Sequence, residues 1–485
     1  MQITIIGHAS IFVETQDCKI LMDPVFWDPF CEGLNESCPK REVIPKKIPE
    51  FDFLVISHQH LDHFDIRTLA YLPKNVDVLI PQDKLLIESL HQLGYSRIYP
   101  LRDFNKVIIG STTLMTTRSE VRVPEFGMIF ADPSGVFWNT VDTYFAPPTI
   151  QKVKGDYPNI DFLLSVWHIS MEGKYQYNQS ISFPFQLYGE LFNLISLVKP
   201  KAIAPGASGF KYINQSSWQN KVVFPVTRER FCYDLETAFP ELKDKIFCLN
   251  PGDIFNLDQE KYHHLVGKAE YVKQIIDDRE YLEFSPVNID TNLIDSNPEK
   301  YEIELMKQTI SEEIEVNLIP FIQKHKNSLF QEHIRWSVIY QLEVIFAHSS
   351  EKWHINFLEE NDIKFKKGRT PLANFYSYIT ASNFYSLIQK KRGWDYLLCS
   401  GEYRKFHKVY AINDLGIIIP NNIDFKDPLE LKYNSDYIAG NNIQNEIQEL
   451  QNKKFAINDS HQLDQDSNPM INLGNILIKK REKKS

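Results

Sequence analysis

The amino-acid sequence predicts an α/β fold, because short apolar runs of strand length alternate with stretches of helical spacing through its first half. Residues 3–6, 53–56 and 76–80 have the length and composition of buried strands. Residues 83–93 carry apolar side chains at helical spacing, and Gly94 follows them as a natural C-cap. Such alternation is typical of chains in which helices cover a central sheet.

Changes in composition divide the chain into four parts. After Asn250-Pro251-Gly252-Asp253, about forty residues are polar and poorly patterned, and the region that follows mixes helical with strand-like segments. From about Asn434 onward, Asn, Gln and Asp dominate and large apolar residues are few, which is typical of disorder. We therefore predict these parts: an α/β domain over residues 1–255, a linker over 256–300, a smaller mixed α/β domain over 301–433 and a disordered tail over 434–485.

The composition also limits partners and location. The 485 residues are 43% hydrophobic, which is enough for two or three domains with their own cores. A formal net charge of −10 predicts no basic surface for nucleic acid or anionic membranes. The chain starts in a strand-like segment and has no run of membrane-spanning length, so we expect a cytoplasmic protein. The six cysteines are scattered without a C-x-x-C pair, which predicts reduced structural thiols.

The densest group of reactive side chains is residues 57–63, with the sequence SHQHLDH. Side chains two positions apart in an extended segment point to the same side, so His58 and His60 can face one point. Asp62 and His63 follow in the predicted turn and can reach a second point nearby, as two neighbouring metal ions require. The alternative is a solvated polar loop. Clustered imidazoles repel one another as cations unless a metal holds them neutral, which favours the metal site.

This motif, placed after a buried strand, resembles the metal-binding motif of the metallo-β-lactamase-fold superfamily. Further agreements stand upstream and downstream, at Gly7-His8-Ala9-Ser10, at Met22-Asp23-Pro24 and at residues 138–143. The resemblance implies a four-layer αββα sandwich with a dinuclear site at one edge, followed here by the smaller mixed α/β domain. It also implies that Asp142 bridges the two metals, that Asp23 orients a ligand and that His8 has a structural or substrate-contacting role.

A closer resemblance is to the CMP-N-acetylneuraminate hydroxylase family of the same superfamily. The segments that carry it are residues 20–26, 57–63, 139–142, 204–210, 392–397 and 403–404. In that family a Rieske iron–sulfur domain, held by two Cys and two His, comes first, and this chain begins after the point where that domain would end. The resemblance therefore implies a redox enzyme that receives electrons from a separate protein, with Arg392 and Trp394 as possible substrate contacts.

The remaining metal ligands are less clear from the sequence. Hydrolases of the superfamily supply two further histidines, but between the motif and Asp142 the only histidine is His91, inside a predicted helix. Either Glu120 or Glu125 could instead complete a two-histidine, one-carboxylate set with the first two motif histidines, as in some oxygenases of this fold. Such a set suits iron better than zinc. The alternative for each glutamate is a solvated carboxylate.

The second metal needs one more partner besides Asp62, His63 and Asp142. His168 ends an apolar strand-like run and could reach the same rim. The alternative is a hydrogen-bonded histidine packed against Trp167.

The sequence is compatible with three functions, each of which would use the candidate site residues named above. In the first, a non-haem diiron oxygenase hydroxylates a small polar metabolite. In the second, Zn²⁺, Mn²⁺ or iron activates a water that Asp62 orients towards an ester, amide or phosphodiester. In the third, the domain binds a ligand without turnover. We favour the oxygenase, because the resemblance extends past the metal motif and the later histidines of the hydrolases are missing.

Overall fold

The structure, a computed structural model, describes residues 1–121, 123–207, 209–259, 261–282, 284–285, 292–359, 363–413, 416–420, 423–434, 436–452 and 470–479. Within these residues, two eight-stranded sheets build the first part of the molecule. The first sheet contains, in spatial order, Lys261–Leu265, Ile254–Asp258, Gln2–Gly7, Ser10–Glu14, Lys19–Met22, Phe53–Val55, Asp77–Pro81 and Ile98–Leu101. The second contains Ile203–Pro205, Phe162–Ser165, Gly135–Asn139, Phe126–Asp132, Thr112–Arg118, Lys106–Ile109, Ile476–Lys479 and Ile471–Asn472.

The two sheets face each other across one apolar core. In the strand Phe53–Val55, the side chains of Phe53 and Val55 join this inner core, whereas Leu54 points to the opposite face. In the second sheet Phe137 points inward and Trp138 outward. Because both faces of each sheet are buried, these strands are continuous apolar runs rather than alternating ones.

Helices cover the outer face of each sheet, which gives four layers in the order α, β, β, α. Asp65 and Asp83 cap two helices on the first sheet by accepting hydrogen bonds from backbone N–H groups of the first turn. The helices on this sheet are Ile66–Tyr71, Lys84–Gln92 and Asp436–Asn452. Those on the second sheet are Pro147–Asp156, Phe185–Val198 and Arg228–Ala238. The αββα sandwich predicted from the resemblance is confirmed by this layering.

The later part of the chain has a separate core around a five-stranded sheet. The strands of that sheet, in spatial order, are Lys366–Lys367, Ser350–Asn356, Ile339–Ile345, Phe375–Thr380 and Tyr403–His407. The α-helices of this part are Ile303–Glu312, Leu318–His325, Gln331–Arg335, Ala381–Ile388, Trp394–Ser400 and Pro428–Tyr433. It docks on the sandwich through polar contacts to backbone carbonyls, for example from Ser216 Oγ to Ser400 O at 2.8 Å.

Shorter paired strands complete the architecture. They are Phe210–Tyr212 with Asn35–Ser37, Val272–Ile276 with Lys40–Val43, and Ala411–Asn413 with Gly416–Ile418. None of the helices in the described part of the chain combines the length and the hydrophobicity that crossing a bilayer requires.

Two segments differ from the sequence prediction. The stretch predicted as a linker, residues 256–300, contains Lys261–Leu265 at the edge of the first sheet and Val272–Ile276 in a separate pair. The edge strand has exposed side chains at alternate positions, which explains why its sequence is polar. The predicted disordered tail, 434–485, instead contributes the helix Asp436–Asn452 and the strand Ile476–Lys479, which pairs with Lys106–Ile109. Residues 453–469 and 480–485 lie outside the described part.

The tail strand Ile476–Lys479 pairs with Lys106–Ile109 at the edge of the second sheet, where backbone hydrogen-bonding groups are available. Leu477 is buried in the core between the sheets, whereas Leu473 is 62% exposed. We expect Leu477→Ala to lower the free energy of unfolding by about 2 kcal/mol, since it leaves a cavity at the sheet edge. Denaturant unfolding followed by circular dichroism measures this loss.

The matched control is Leu473→Ala, which removes the same atoms from an exposed position and should change the free energy of unfolding by less than about 0.5 kcal/mol. Equal effects of the two substitutions would mean that the tail strand is not docked.

Candidate metal centre

Residues 57–63 form the loop that follows the strand Phe53–Val55. His63 N and Phe64 N both donate to His60 O, at 2.9 and 2.8 Å, which closes the loop into a turn. The turn brings His58 and His60 together, with Nε2 of His58 2.8 Å from Nδ1 of His60. The His58 and His63 rings are buried, whereas His60 is open to solvent. The motif thus has a buried side, formed by His58 and His63, and a solvent-exposed side at His60.

Asp23 is fully buried beneath this loop and holds it in place. Its Oδ1 accepts from Ser57 N at 2.7 Å, and its Oδ2 accepts from Ser57 Oγ at 2.7 Å. The same Oδ2 lies 3.0 Å from His63 Nδ1. A carboxylate buried away from water must be satisfied by such donors, because its desolvation is otherwise costly.

This network fixes which nitrogen of each ring carries a proton. Ser57 Oγ donates to Asp23, since an ionised carboxylate only accepts, so it accepts in turn from His58 Nδ1 at 2.9 Å. His63 donates through Nδ1 to the same carboxylate. The Nε2 atoms point away from Asp23, that of His58 towards His60 Nδ1 at 2.8 Å and that of His63 towards Asp142 Oδ2 at 3.0 Å. A carboxylate that orients imidazoles in this way is the usual support of metal-binding histidines.

Asp142 meets the motif from the other sheet. It follows the strand Gly135–Asn139, and its Oδ2 lies 3.0 Å from His63 Nε2. Asp62 Oδ2 lies 3.7 Å from the same nitrogen. The other carboxylate oxygen, Asp142 Oδ1, is buried and has no hydrogen-bond partner among the described residues. A buried oxygen that lacks a donor fits a metal ligand, because a cation would satisfy it.

Three sets of side chains bring potential ligand atoms within 4.8 Å of one another. They are His58, His60 and Asp62; His58, His63 and Asp142; and His8, Asp62 and His63. The sets share members, as a centre with two adjacent metal ions requires. The donor atoms are imidazole nitrogens and carboxylate oxygens, which suit zinc, manganese or iron.

His8 supports Asp62 rather than offering a free nitrogen. Gly209 N donates to His8 Nδ1 at 3.1 Å, so the ring proton is on Nε2, which lies 3.0 Å from Asp62 Oδ2. The two backbones approach closely here, because a Cβ at residue 209 would lie 3.0 Å from backbone atoms of His8. Glycine is therefore required at residue 209, and the contact orients the Asp62 carboxylate.

Burial and neighbouring charges shift the pKa values of His58 and His63 in opposite directions. Burial lowers the pKa of His58 well below its usual value, and the neighbouring His63 and His60 lower it further. Burial alone would also lower the pKa of His63, but Asp62 and Asp142 outweigh it and raise that pKa well above the ordinary range. One imidazole is thus kept neutral for ligation, while the other sits where the carboxylates attract a positive charge.

The two candidate glutamates occupy different places. Glu125 is buried and accepts a hydrogen bond from Ser119 Oγ. Burial raises the pKa of Glu125, with Asp142 raising it further, so its carboxylate lies within electrostatic reach of the centre. Glu120 is exposed and pairs with Arg118, whose Nε lies 3.0 Å from Glu120 Oε1. Neither glutamate belongs to the three sets of ligand atoms identified within the described residues.

His168 lies close to the centre but outside those sets. Its ring stacks on Phe224 with centroids 4.9 Å apart and also contacts Trp167. Neither ring nitrogen has a hydrogen-bond partner within the described part of the chain. Burial lowers the pKa of His168 to about 4, so the ring is neutral and able to act as a ligand.

The sequence analysis missed Glu172. Its Oε1 accepts from the Tyr212 hydroxyl at 2.5 Å. The residue is accessible to solvent, yet protein atoms crowd the carboxylate and raise its pKa, and Asp62 and Asp142 raise it further. No spacing in the sequence links Glu172 to the motif, because a fold contact with Tyr212 places it there.

The second domain contributes less directly than expected. Trp394 is buried in that domain's own core, with its ring centroid 5.1 Å from that of Tyr403. Arg392 donates to Glu32 O at 2.9 Å and stacks on Tyr396, so it ties the second domain to a loop of the first. Both residues therefore have structural contacts, and neither touches the metal-binding motif in these contacts.

We expect Asp23→Asn to weaken metal binding by about 10- to 100-fold. The amide keeps one acceptor oxygen and places an NH₂ group against Ser57 or His63, so the imidazoles lose their orientation. Competition with a chromophoric chelator measures the affinity. The matched control is Asp253→Asn, which alters another buried carboxylate, bonded to His264 Nε2 at 2.7 Å, outside the three sets. An unchanged affinity in the Asp23 variant would contradict the orienting role.

Comparison with known proteins agrees with this architecture. Residues 2–113 match the β-lactamase superfamily domain family. A Mycobacterium tuberculosis protein, named as a Rieske 2Fe-2S iron–sulfur protein, is 34% identical over 115 residues, which are 21% of this chain and 20% of that protein. The chain thus spans about a fifth of the length of the first curated relatives it matches.

Two further similarities are of different kinds. A protein of Salinibacter ruber, named as a metal-dependent hydrolase, is 27% identical over 217 residues, covering 42% of this chain and 83% of that protein. The solved structure of CmlA, a diiron β-hydroxylase from Streptomyces venezuelae, has a TM-score of 0.37 at 14% identity, covering 55% of this chain and 54% of that one. The family match is confined to residues 2–113, and the four-layer sandwich that contains these residues has the metallo-β-lactamase fold.

Proposed function

We propose that this protein is a dinuclear metalloenzyme, and specifically a non-haem diiron oxygenase that hydroxylates a small polar metabolite. The observation that carries the dinuclear centre is the Asp142 carboxylate. One oxygen faces His63 Nε2 at 3.0 Å, and the other is buried without a donor among the described residues. Such a carboxylate, placed between the candidate ligands of both groups, would help to hold a pair of metal ions.

The residues around Asp142 divide into two ligand groups. His58 and His60 would hold one ion, with Glu125 as the third ligand. Asp62 and His63 would hold the other, with His168 completing the set from the neighbouring loop. The pairs His58–His60 and Asp62–His63 each occur within one of the sets of close ligand atoms. Glu125 and His168 lie outside those sets, and we add them because both are buried and interact electrostatically with Asp142.

The choice of iron rests on the donor atoms. Two imidazoles with one carboxylate, at a place open to solvent beside His60, form a set that suits iron in oxygen-activating enzymes. Glu125, buried beside the centre, supplies the carboxylate where a histidine would favour zinc. Bound in this place, two iron ions would supply the reductive activation of dioxygen.

The protein's own groups would orient and protect this chemistry. Asp23 and Ser57 hold His58 and His63 in one tautomer, and His8 holds Asp62. Glu172, hydrogen-bonded to Tyr212, keeps a proton to a higher pH than a solvated carboxylate does. It is therefore suited to carry a proton towards the centre.

A separate electron donor is part of the proposal. The Mycobacterium tuberculosis relative that shares 34% identity over 115 residues is named as a Rieske 2Fe-2S iron–sulfur protein. Clusters of that kind transfer single electrons at moderate potentials. This kinship supports an iron–sulfur protein as the source of electrons for the diiron centre.

Hydrolysis is the second candidate function. It is favoured by the Salinibacter ruber relative, named as a metal-dependent hydrolase, because the similarity covers 83% of that protein. In this case the metal ions would lower the pKa of a bound water. Asp62, held by His8, would orient that water towards an ester, amide or phosphodiester.

The identity of the metals and their reaction with dioxygen separate these functions. Protein prepared without oxygen and reconstituted with Fe²⁺ should contain close to two irons per chain and should consume dioxygen when reduced. Elemental analysis and an oxygen electrode measure the two quantities. Fewer than about one metal per chain after reconstitution would reject the dinuclear centre. Two irons without reaction with dioxygen would favour hydrolysis.

The third ligand of the first ion is tested by a matched pair of substitutions. We expect Glu125→Ala to lose about one metal per chain, since it removes the buried carboxylate beside Asp142. Glu120→Ala is the control and should keep both metals, because the Glu120 carboxylate pairs with Arg118 at the surface. Retention of both metals in both variants would reject a glutamate ligand. Loss of metal only in the Glu120 variant would mean that Glu120, and not Glu125, is the third ligand.

A further inference from the structure

A second reactive cluster lies away from the metal-binding loop, at Cys232 and Cys248. The two sulfur atoms are 2.7 Å apart, although the residues are separated by 16 positions in the chain. Cys232 lies in the helix Arg228–Ala238, and Cys248 follows Ile246, which bridges to Ile203 at the end of the second sheet. Both residues are partly accessible to solvent.

The fold holds this contact in place from both sides. Phe231 and Leu235 anchor the helix in the core on the outer face of the second sheet. Phe247 N donates to Ile203 O at 2.9 Å, and Leu249 is buried in the core between the sheets. These contacts fix the backbone on both sides of the pair, so the two cysteines are held next to each other.

The surroundings favour a reactive thiolate at Cys248. Arg228, one helical turn before Cys232, donates to Leu249 O at 2.5 Å and to Asn250 Oδ1 at 2.7 Å, which fixes its guanidinium beside the pair. The hydrogen bond from Cys232 lowers the pKa of Cys248 to about 7, against the effect of burial, and Arg228 lowers it further. Glu229 opposes this shift and Arg279 adds to it.

The same hydrogen bond raises the pKa of Cys232, so only Cys248 has a lowered pKa, and the other thiols contrast with Cys248. Cys18 is buried, and burial raises its pKa to about 12. Burial likewise raises the pKa of Cys38 and of Cys31. Thiols with raised pKa values are poor nucleophiles at neutral pH.

We propose that Cys232 and Cys248 form a reversible redox site, in which a peroxide oxidises the two thiols to an intrachain disulfide. This goes beyond the proposed oxygenase function and does not depend on it. It also adds a reactive pair to the expectation from the sequence, which was of reduced, mostly structural thiols.

The reaction proceeds in two balanced steps. The Cys248 thiolate attacks one oxygen of hydrogen peroxide, the O–O bond breaks, and a sulfenic acid and hydroxide form. The Cys232 thiol then attacks the Cys248 sulfur; the S–S bond forms, the S–O bond breaks, and hydroxide leaves. The two sulfurs give up two electrons, the peroxide accepts them, and the two thiol protons end in two molecules of water.

Arg228 and Glu229, beside the cysteine pair, line a cavity that also has His8 in its wall. This cavity has an empty volume of about 800 Å³, which includes the space open to solvent. Arg228 lies in its wall beside the cysteine pair, and His8, which contacts Asp62, lies in another part of the wall. Oxidation therefore changes the charge next to Arg228, because the thiolate that faces it becomes a neutral disulfide.

The experiment treats the full-length protein with a few-fold molar excess of hydrogen peroxide, then denatures it in iodoacetamide and maps the peptides by mass spectrometry. We expect two of the six cysteines to escape alkylation and one linked peptide pair to contain Cys232 and Cys248. Dithiothreitol should restore both alkylation sites. Alkylation of all six cysteines after peroxide, or separate sulfinic acids at both positions, would overturn the proposal.

Variants separate this pair from general oxidation. Cys232→Ser should abolish the link and leave Cys248 able to form a mixed disulfide with added glutathione. The matched control is Cys18→Ser, which removes a buried thiol elsewhere and should leave the link intact. A link to another cysteine in the unmodified protein would also reject the assignment of these partners.

Discussion

The buried carboxylate of Asp23 is the constraint on which the metal-binding loop depends. It has no exposure to solvent, so it needs donors from the protein. Three donors meet it, Ser57 N, Ser57 Oγ and His63 Nδ1, at 2.7 to 3.0 Å. The first two donors belong to Ser57. Ser57 must therefore stay in this one position for Asp23 to keep both hydrogen bonds. The orientation of His58 follows from that position, through Ser57 Oγ.

The sheets bring these partners together by their order. Lys19–Met22 and Phe53–Val55 are parallel neighbours, so the residues that follow them, Asp23 and Ser57, meet at the same edge. Asp23 N also donates to Val55 O at 2.9 Å, which continues the ladder by one residue. Asp142 arrives from the second sheet. The centre therefore forms only where the ends of two packed sheets coincide, and a slip in register would remove it.

Local sequence was sufficient to predict the loop and the buried strands, and the resemblance supplied the four layers, but neither predicted the long-range contacts. The histidines of residues 57–63 are contiguous, so their proximity is visible from spacing, and the apolar runs indicated buried strands. Glu172 and Tyr212 are forty residues apart and carry no common pattern. The tail strand was missed for a related reason, since Ile476–Lys479 becomes a strand only because the sheet edge beside it is open. Glu120 and Glu125 could not be separated from sequence, because the Arg118 ion pair decides where Glu120 points.

Charge links protonation to metal binding at His63. Asp62 Oδ2 and Asp142 Oδ2 lie 3.7 and 3.0 Å from His63 Nε2. These two carboxylates raise the pKa of His63 well above its ordinary range, so they attract a proton to the ring. A proton on His63 Nε2 occupies the lone pair that a metal ion needs. Protons and metal ions would therefore compete for this nitrogen.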